Sequence, residues 1–173
     1  VAGKSIDIIE NSLGKKVTIV RIMPNLAIAY KKSVTAFVSN NGKSVLVKRV
    51  KDDLLKLGKL VELQEKYFDL FTAIFGSGPA FLLTILQTLK NKTRELGIPN
   101  NEIDDLLIEL TIGTITYFKE NHTHMSLEEL IKNITSKGGT TEAGLNYFKD
   151  NKIDELLENV INASQNRSKE IGK

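Results

Sequence analysis

The chain of 173 residues contains no cysteine, which excludes a disulfide scaffold, thiolate metal sites and a cysteine nucleophile together. It has no uninterrupted apolar run of the roughly 18 residues that a membrane span needs. The opening Val1-Ala2-Gly3-Lys4 shows no charged-then-apolar leader, so the expectation is a cytoplasmic protein without a membrane partner. Arginine is scarce, at 4 of 24 basic residues, and the net charge is only +3. Nucleic-acid binders gather basic side chains, arginine above all, into patches; here lysine is scattered, which argues against nucleic acid as a partner. What remains is an ordinary globular composition, 41% hydrophobic and 26% charged, enough for one domain or one with a small appendage.

The patterning changes along the chain. Residues 4–12 have the character of a helix tail closed by Gly14. The β-branched run Lys16–Ile22 predicts a buried strand, and Ser33–Val38 predicts a second, ended by Asn40-Asn41-Gly42. Val47, Val50, Leu54 and Leu57 give helical spacing over 44–57, and a short extended piece is expected around Leu60–Leu63. Pro79 suits the first turn of a helix running to about Glu95 and stopping at Gly97-Ile98-Pro99. Its apolar residues Phe81, Leu82, Leu83, Ile85, Leu86 and Leu89 surround the axis, so the helix needs cover on all sides, which a second subunit can give. Asn100 or Asn101 is expected to cap a helix of about 18 residues that buries Ile103, Leu106, Leu107, Leu110, Thr114 and Phe118. Ser126-Leu127-Glu128-Glu129 is a capping box. Two more helices follow, one from Thr140 or Thr141 and one carrying Ile153, Leu156, Leu157, Val160, Ile161 and Ser164 on one face. The sum is a helical bundle behind a strand-containing stub.

Three segments have chemical potential. Ser136-Lys137-Gly138-Gly139-Thr140-Thr141 sits between two helices, where free N–H groups, the helix dipole and two hydroxyls suit a small carboxylate or phosphate. The same residues also describe a plain interhelical turn with a threonine N-cap. Gly76-Ser77-Gly78-Pro79-Ala80-Phe81 superficially suggests a dinucleotide fingerprint, but Phe81 stands where the third glycine is needed, so a tight turn into a helix is preferred. Arg21-Ile22-Met23-Pro24-Asn25 ends a strand in a turn, the place where ligands bind in open α/β sheets. His122 and His124 at i, i+2 do not share a helix face, and no third ligand is recognisable, so no metal site is expected. Glu62, Glu65 and Asp69 are expected surface charge.

In this order and at these separations, the three motifs resemble those of pyrroline-5-carboxylate reductases. The long motif Thr72–Phe81 is similar to the one before that family's dimerisation helix, and Ser136–Leu145 to its C-terminal signature. The resemblance implies a mainly α fold: a helical dimerisation domain of the 6-phosphogluconate-dehydrogenase C-terminal type, preceded by a small β/α remnant of a Rossmann domain. It places that remnant at residues 1–42 and the helical dimerisation and substrate-binding domain at 43–173, with the Gly-rich phosphate loop outside this chain. It implies reduction of 1-pyrroline-5-carboxylate to L-proline, the last step of proline biosynthesis. NADP or NAD serves as cofactor, NADPH favoured, bound mainly by the domain absent from the chain. By motif, Ser136, Gly138, Gly139, Thr140 and Thr141 bind substrate, Thr141 being the catalytic hydroxyl near the ring nitrogen, while Met23, Pro24 and Asn25 approach the nicotinamide. A homodimer or a higher homo-oligomer is implied. The chain departs from the family pattern at Leu26-Ala27, where Thr-Pro is usual, at Lys137, where Pro is usual, and at Lys31, where Gly is common. A non-catalytic helical dimerisation module, diverged or truncated, is the competing reading.

Overall fold

The computed structural model describes residues 4–172. They form two compact units, one of residues up to 81 together with 157 onward, the other of residues 82–156.

The first unit is built on a three-stranded sheet. Helix α1 (Ile6–Leu13) starts at Ser5, whose hydroxyl accepts the Ile8 N–H, and ends at left-handed Gly14. Strands β1 (Val20–Met23), β2 (Ser33–Ser39) and β3 (Gly58–Glu62) lie in the order β1-β2-β3, β1 antiparallel to β2 and β2 parallel to β3. The parallel step is made by helix α2 (Val45–Leu55). Successive side chains of β2 face opposite ways, so its two faces feed two cores. Ala36 packs with Phe68 and Phe71, flanked by Met23, Val34, Val38 and Val61; Phe37 packs with Val47 and Leu54 of α2, flanked by Val20, Ile22 and Leu60.

β1 is shorter than the sequence predicts, and half-buried rather than buried. The residues before it keep one main-chain bond, the Asn40 N–H on the Ile19 carbonyl at 3.3 Å, and are otherwise held by side chains. Asn40 accepts the Ile19 N–H and donates to the Val17 carbonyl, and Asn41 donates to the Thr18 hydroxyl.

Arg21 ties this region together. Its guanidinium lies 2.7 Å from Glu65 and 4.6 Å above the Phe68 ring, while the same Glu65 oxygen accepts the Ile6 N–H. Lys31, where the resemblance leads one to expect glycine, has φ 57° and ends the short helical turn Leu26–Tyr30 in a left-handed conformation. A non-glycine residue there is strained by about 1 kcal/mol. Lys31→Gly is therefore expected to raise the melting temperature by a few degrees; a lower one would contradict this account of the turn.

From Phe68 the chain is helical almost without a break. Helix α3 (Phe68–Phe71) widens into a π-helical turn, Thr72–Gly76, and continues as helix α4 (Gly78–Thr93). The tight turn expected before Pro79 is thus a widened stretch of helix. It closes with the Ser77 N–H on the Thr72 carbonyl, five residues back, at 2.9 Å. The last helix, α8 by chain order (Ile153–Gly172), meets this run inside the first unit, where Ser164 bonds Ser77 at 3.1 Å and Ser168 donates to Asp69 at 2.7 Å. By length and composition, the helical run Glu65–Leu96 is apolar enough to cross a membrane.

In the second unit, α4 gives way to a 3-10 turn (Arg94–Leu96) capped by Gly97 and is followed by α5 (Asn100–Asn121), α6 (Leu127–Asn133) and α7 (Thr140–Asp150). Pro99, not Asn100 or Asn101, occupies the cap of α5, and the helix has 22 residues where the sequence predicts about 18. The capping box of α6 is present, and the Ser126 backbone N–H and hydroxyl together hold the Glu129 carboxyl below the usual carboxylate range. Lys90 of α4 and Asp104 of α5 pair at 2.6 Å. Burial here differs most from expectation: Ile103 is fully buried, yet Leu106 is 50% and Leu110 54% exposed, and no residue of α4 is buried. These helices leave many large apolar side chains exposed in the single chain.

Candidate functional site

The loop between α6 and α7 is shaped by its two glycines. Gly138 has φ +73°, which L side chains rarely adopt. A Cβ on Gly139 would stand 3.0 Å from the Ser136 carbonyl oxygen and closer still to its hydroxyl, which would have to turn away, so the loop is tight there.

Hydrogen bonding then decides which groups face a ligand. The Gly138 N–H donates to Glu142 at 2.7 Å, and the Gly139 N–H to the Ser136 carbonyl at 3.0 Å. Gly139, not a threonine, is the N-cap of α7, and its carbonyl accepts the Ala143 N–H. Thr140 and Thr141 therefore occupy the first two helical positions, where N–H groups have no intrahelical acceptor. Among the described residues no acceptor takes those two N–H groups, and none pairs with the hydroxyls of Ser136, Thr140 or Thr141. All three side chains are exposed. The result is a cluster of unengaged donors at the positive end of an 11-residue helix, an arrangement suited to an anionic oxygen pair. The glycines shape this cluster more than they donate to it. Glu142 was not singled out from the sequence, although Gly139 to Glu142 has the spacing of a cap and its third helical residue, the usual sign of a carboxylate reaching back.

The second segment lies in the other unit. Met23 ends β1 and packs on the Ala36–Phe68–Phe71 core. Asn25 caps the turn Leu26–Tyr30, its Oδ1 accepting the Ala27 N–H at 3.1 Å, and its Nδ2 donates to the Phe75 carbonyl at 3.0 Å. Leu26 and Ala27 begin that turn, and Leu26 is exposed. The strand end thus sits beside the π-helical turn, a feature periodicity does not reveal. Such turns recur at functional sites.

Gly76 and Gly78 follow a helix instead of a strand, so they cannot form a dinucleotide phosphate loop. Glu62 pairs with Lys51, Glu65 with Arg21, and Asp69 accepts from Ser168. His122 follows α5, its ring edge-on to Phe118 and Nδ1 2.8 Å from the Lys119 carbonyl, and His124 lies in the exposed loop after it.

Comparison with known proteins gives the family. Residues 65–171 match the family model for pyrroline-5-carboxylate reductase dimerisation. The chain is 36% identical over 172 residues to a pyrroline-5-carboxylate reductase of Staphylococcus epidermidis, covering 99% of this chain and 63% of that protein. It is 31% identical to pyrroline-5-carboxylate reductase 2 of Bacillus subtilis, covering 99% and 61%. The chain therefore spans less than two thirds of these relatives' length. Among solved structures, a Plasmodium falciparum pyrroline carboxylate reductase with NADP bound superposes with a TM-score of 0.90 at 26% identity, covering 99% of this chain and 69% of that one. The Streptococcus pyogenes 1-pyrroline-5-carboxylate reductase gives 0.89 at 28%, covering 98% and 65%. A mainly helical chain with a small three-stranded sheet, whose apolar helices lack cover and whose residues 65–171 match that model, belongs to the pyrroline-5-carboxylate reductase dimerisation family.

Proposed function

We propose that the protein containing this chain reduces 1-pyrroline-5-carboxylate to L-proline with NADPH or NADH, NADPH favoured, as a cytoplasmic homodimer or higher homo-oligomer. The observation that carries this is the α7 N-terminus. The backbone N–H groups of Thr140 and Thr141 and the hydroxyls of Ser136 and Thr140 receive the substrate carboxylate, in a loop that Gly138 and Gly139 shape. The Thr141 hydroxyl bonds the ring nitrogen and orients the imine, and the proton it passes to that nitrogen is replaced from solvent. The cofactor supplies the hydride that adds to the imine carbon. This chain fits only one end of that cofactor: the turn after β1 offers Met23, Pro24 and Asn25 to the nicotinamide, while among the described residues no glycine-rich turn follows a strand into a helix to hold the phosphates.

Residues 1–42 are read as the end of the cofactor domain and 43–173 as the dimerisation and substrate part. Pairing of β3 with β2 extends the sheet of the former to Glu62. The exposed apolar residues of α4 and α5 are covered by a second copy, not by lipid or nucleic acid.

The test uses the full-length protein. It is expected to oxidise NADPH only when 1-pyrroline-5-carboxylate is supplied and to release an equal amount of L-proline. A folded full-length protein with no such turnover would overturn the proposal in favour of a non-catalytic dimerisation module.

A further inference from the structure

Proline has no N–H, so within a helix the carbonyl four residues before it loses its usual donor. In the helical run through the π turn that carbonyl belongs to Phe75, four residues before Pro79. A replacement arrives from far away in sequence: Asn25 Nδ2 donates to the Phe75 carbonyl at 3.0 Å. Its Oδ1 is engaged by the Ala27 N–H at 3.1 Å, and its own N–H donates to the Ser33 hydroxyl, which bonds the Thr35 hydroxyl at 2.9 Å in the sheet. On the same side, the Met23 methyl lies so near Gly76 that a Cβ there would stand 3.3 Å from it. Strand end and π turn therefore touch through one hydrogen bond and one close apolar contact.

We propose that Asn25 is a positioning residue coupled to Pro79: it takes the carbonyl that Pro79 frees, and so fixes Met23 and Pro24 against the π-helical turn in the orientation they present to the nicotinamide. The inference rests on the reading of this strand end given above and narrows it: Met23 and Pro24 remain the residues that meet the nicotinamide, while the Asn25 side chain acts through Phe75. Both ends of its side chain are already engaged by the protein.

The experiment is a double-mutant cycle in the full-length protein with Asn25→Ser and Pro79→Ala. Serine is as good an N-cap as asparagine, so the bond to Ala27 survives, but it is too short to reach Phe75. Pro79→Ala gives Phe75 a donor within the helix. Asn25→Ser alone is expected to lower kcat/KM for NADPH by about tenfold, with KM for 1-pyrroline-5-carboxylate changed less than about twofold. In the Pro79→Ala background the loss is expected to shrink below about threefold, the non-additivity of groups sharing one partner. An equal loss in both backgrounds would overturn the proposal, as would a lowered melting temperature with unchanged kcat/KM for NADPH. If Asn25→Ser does not fold, Asn25→Asp, which keeps size and cap, is read by the same criteria. Wild-type protein without turnover would instead remove the underlying reading, so the two failures are distinct.

Discussion

The 173-residue chain is expected to sediment at low micromolar concentration with about twice its mass of 19.3 kDa, and Leu82→Lys is expected to abolish that dimer. In the single chain Leu82 is 65% exposed, Leu83 60%, Ile85 49% and Leu89 42%, and α5 adds Ile112 at 53% and Ile115 at 57%. Burying a side chain of this size is worth about 1.5–3 kcal/mol, and folded monomers rarely leave so many large apolar side chains on neighbouring helices in water. The choice of Leu82 separates the alternatives. A monomer would accept a lysine at so exposed a position with little change. A dimer that buries it would have to desolvate an unpaired ammonium, weakening association by a hundredfold or more, on the order of 3 kcal/mol. Wild-type chain that stays monomeric, or a Leu82→Lys variant that sediments like the wild type, would contradict the role given to α4.

The same chain is expected to bind NADPH too weakly for calorimetry in the micromolar range and to show no reductase turnover. Dinucleotide affinity comes largely from a glycine-rich turn between a strand and a helix, whose N–H groups and dipole hold the pyrophosphate. The only Gly-x-Gly in these residues is Gly76-Ser77-Gly78, and it lies inside a helical run, its first glycine packed against Met23. What this chain offers the cofactor is the turn after β1, which carries no cationic side chain between Met23 and Asn25. Micromolar binding to the 173 residues would mean that the strand end does far more than meet a nicotinamide.

Much of this architecture is legible in the sequence because its signals are local. Ser126 and Glu129 announce α6, β-branched residues announce β2, and the all-round apolar face of α4 announces missing cover. What was illegible depends on contacts between distant residues. The strand before Val20 is replaced largely by the side chains of Asn40 and Asn41, which no periodicity shows. The buried side expected of α5 rests on the spacing within one helix, which does not say what packs against it, and in the single chain only Ile103 is enclosed. At the loop, the residue types were right while their duties shifted: the cap fell to Gly139, and Glu142 took the Gly138 N–H, which left Thr140 and Thr141 unengaged. The link from Asn25 to Phe75 follows from a proline's missing donor, but it crosses 50 positions of sequence.

The most direct test of the central claim, that the α7 N-terminus holds the substrate, is Thr141→Val in the full-length protein, with melting temperature and kcat/KM measured on the same sample. Valine has nearly the volume of threonine, and Thr141 neither caps the helix nor bonds any described residue, so the melting temperature should stay within a degree or two. Loss of a hydroxyl bonded to a charged or charge-developing group costs about 1.5–3 kcal/mol, so kcat/KM for 1-pyrroline-5-carboxylate should fall roughly 10- to 150-fold. A variant that melts several degrees lower and turns over normally would contradict the claim, leaving Thr141 a purely structural residue.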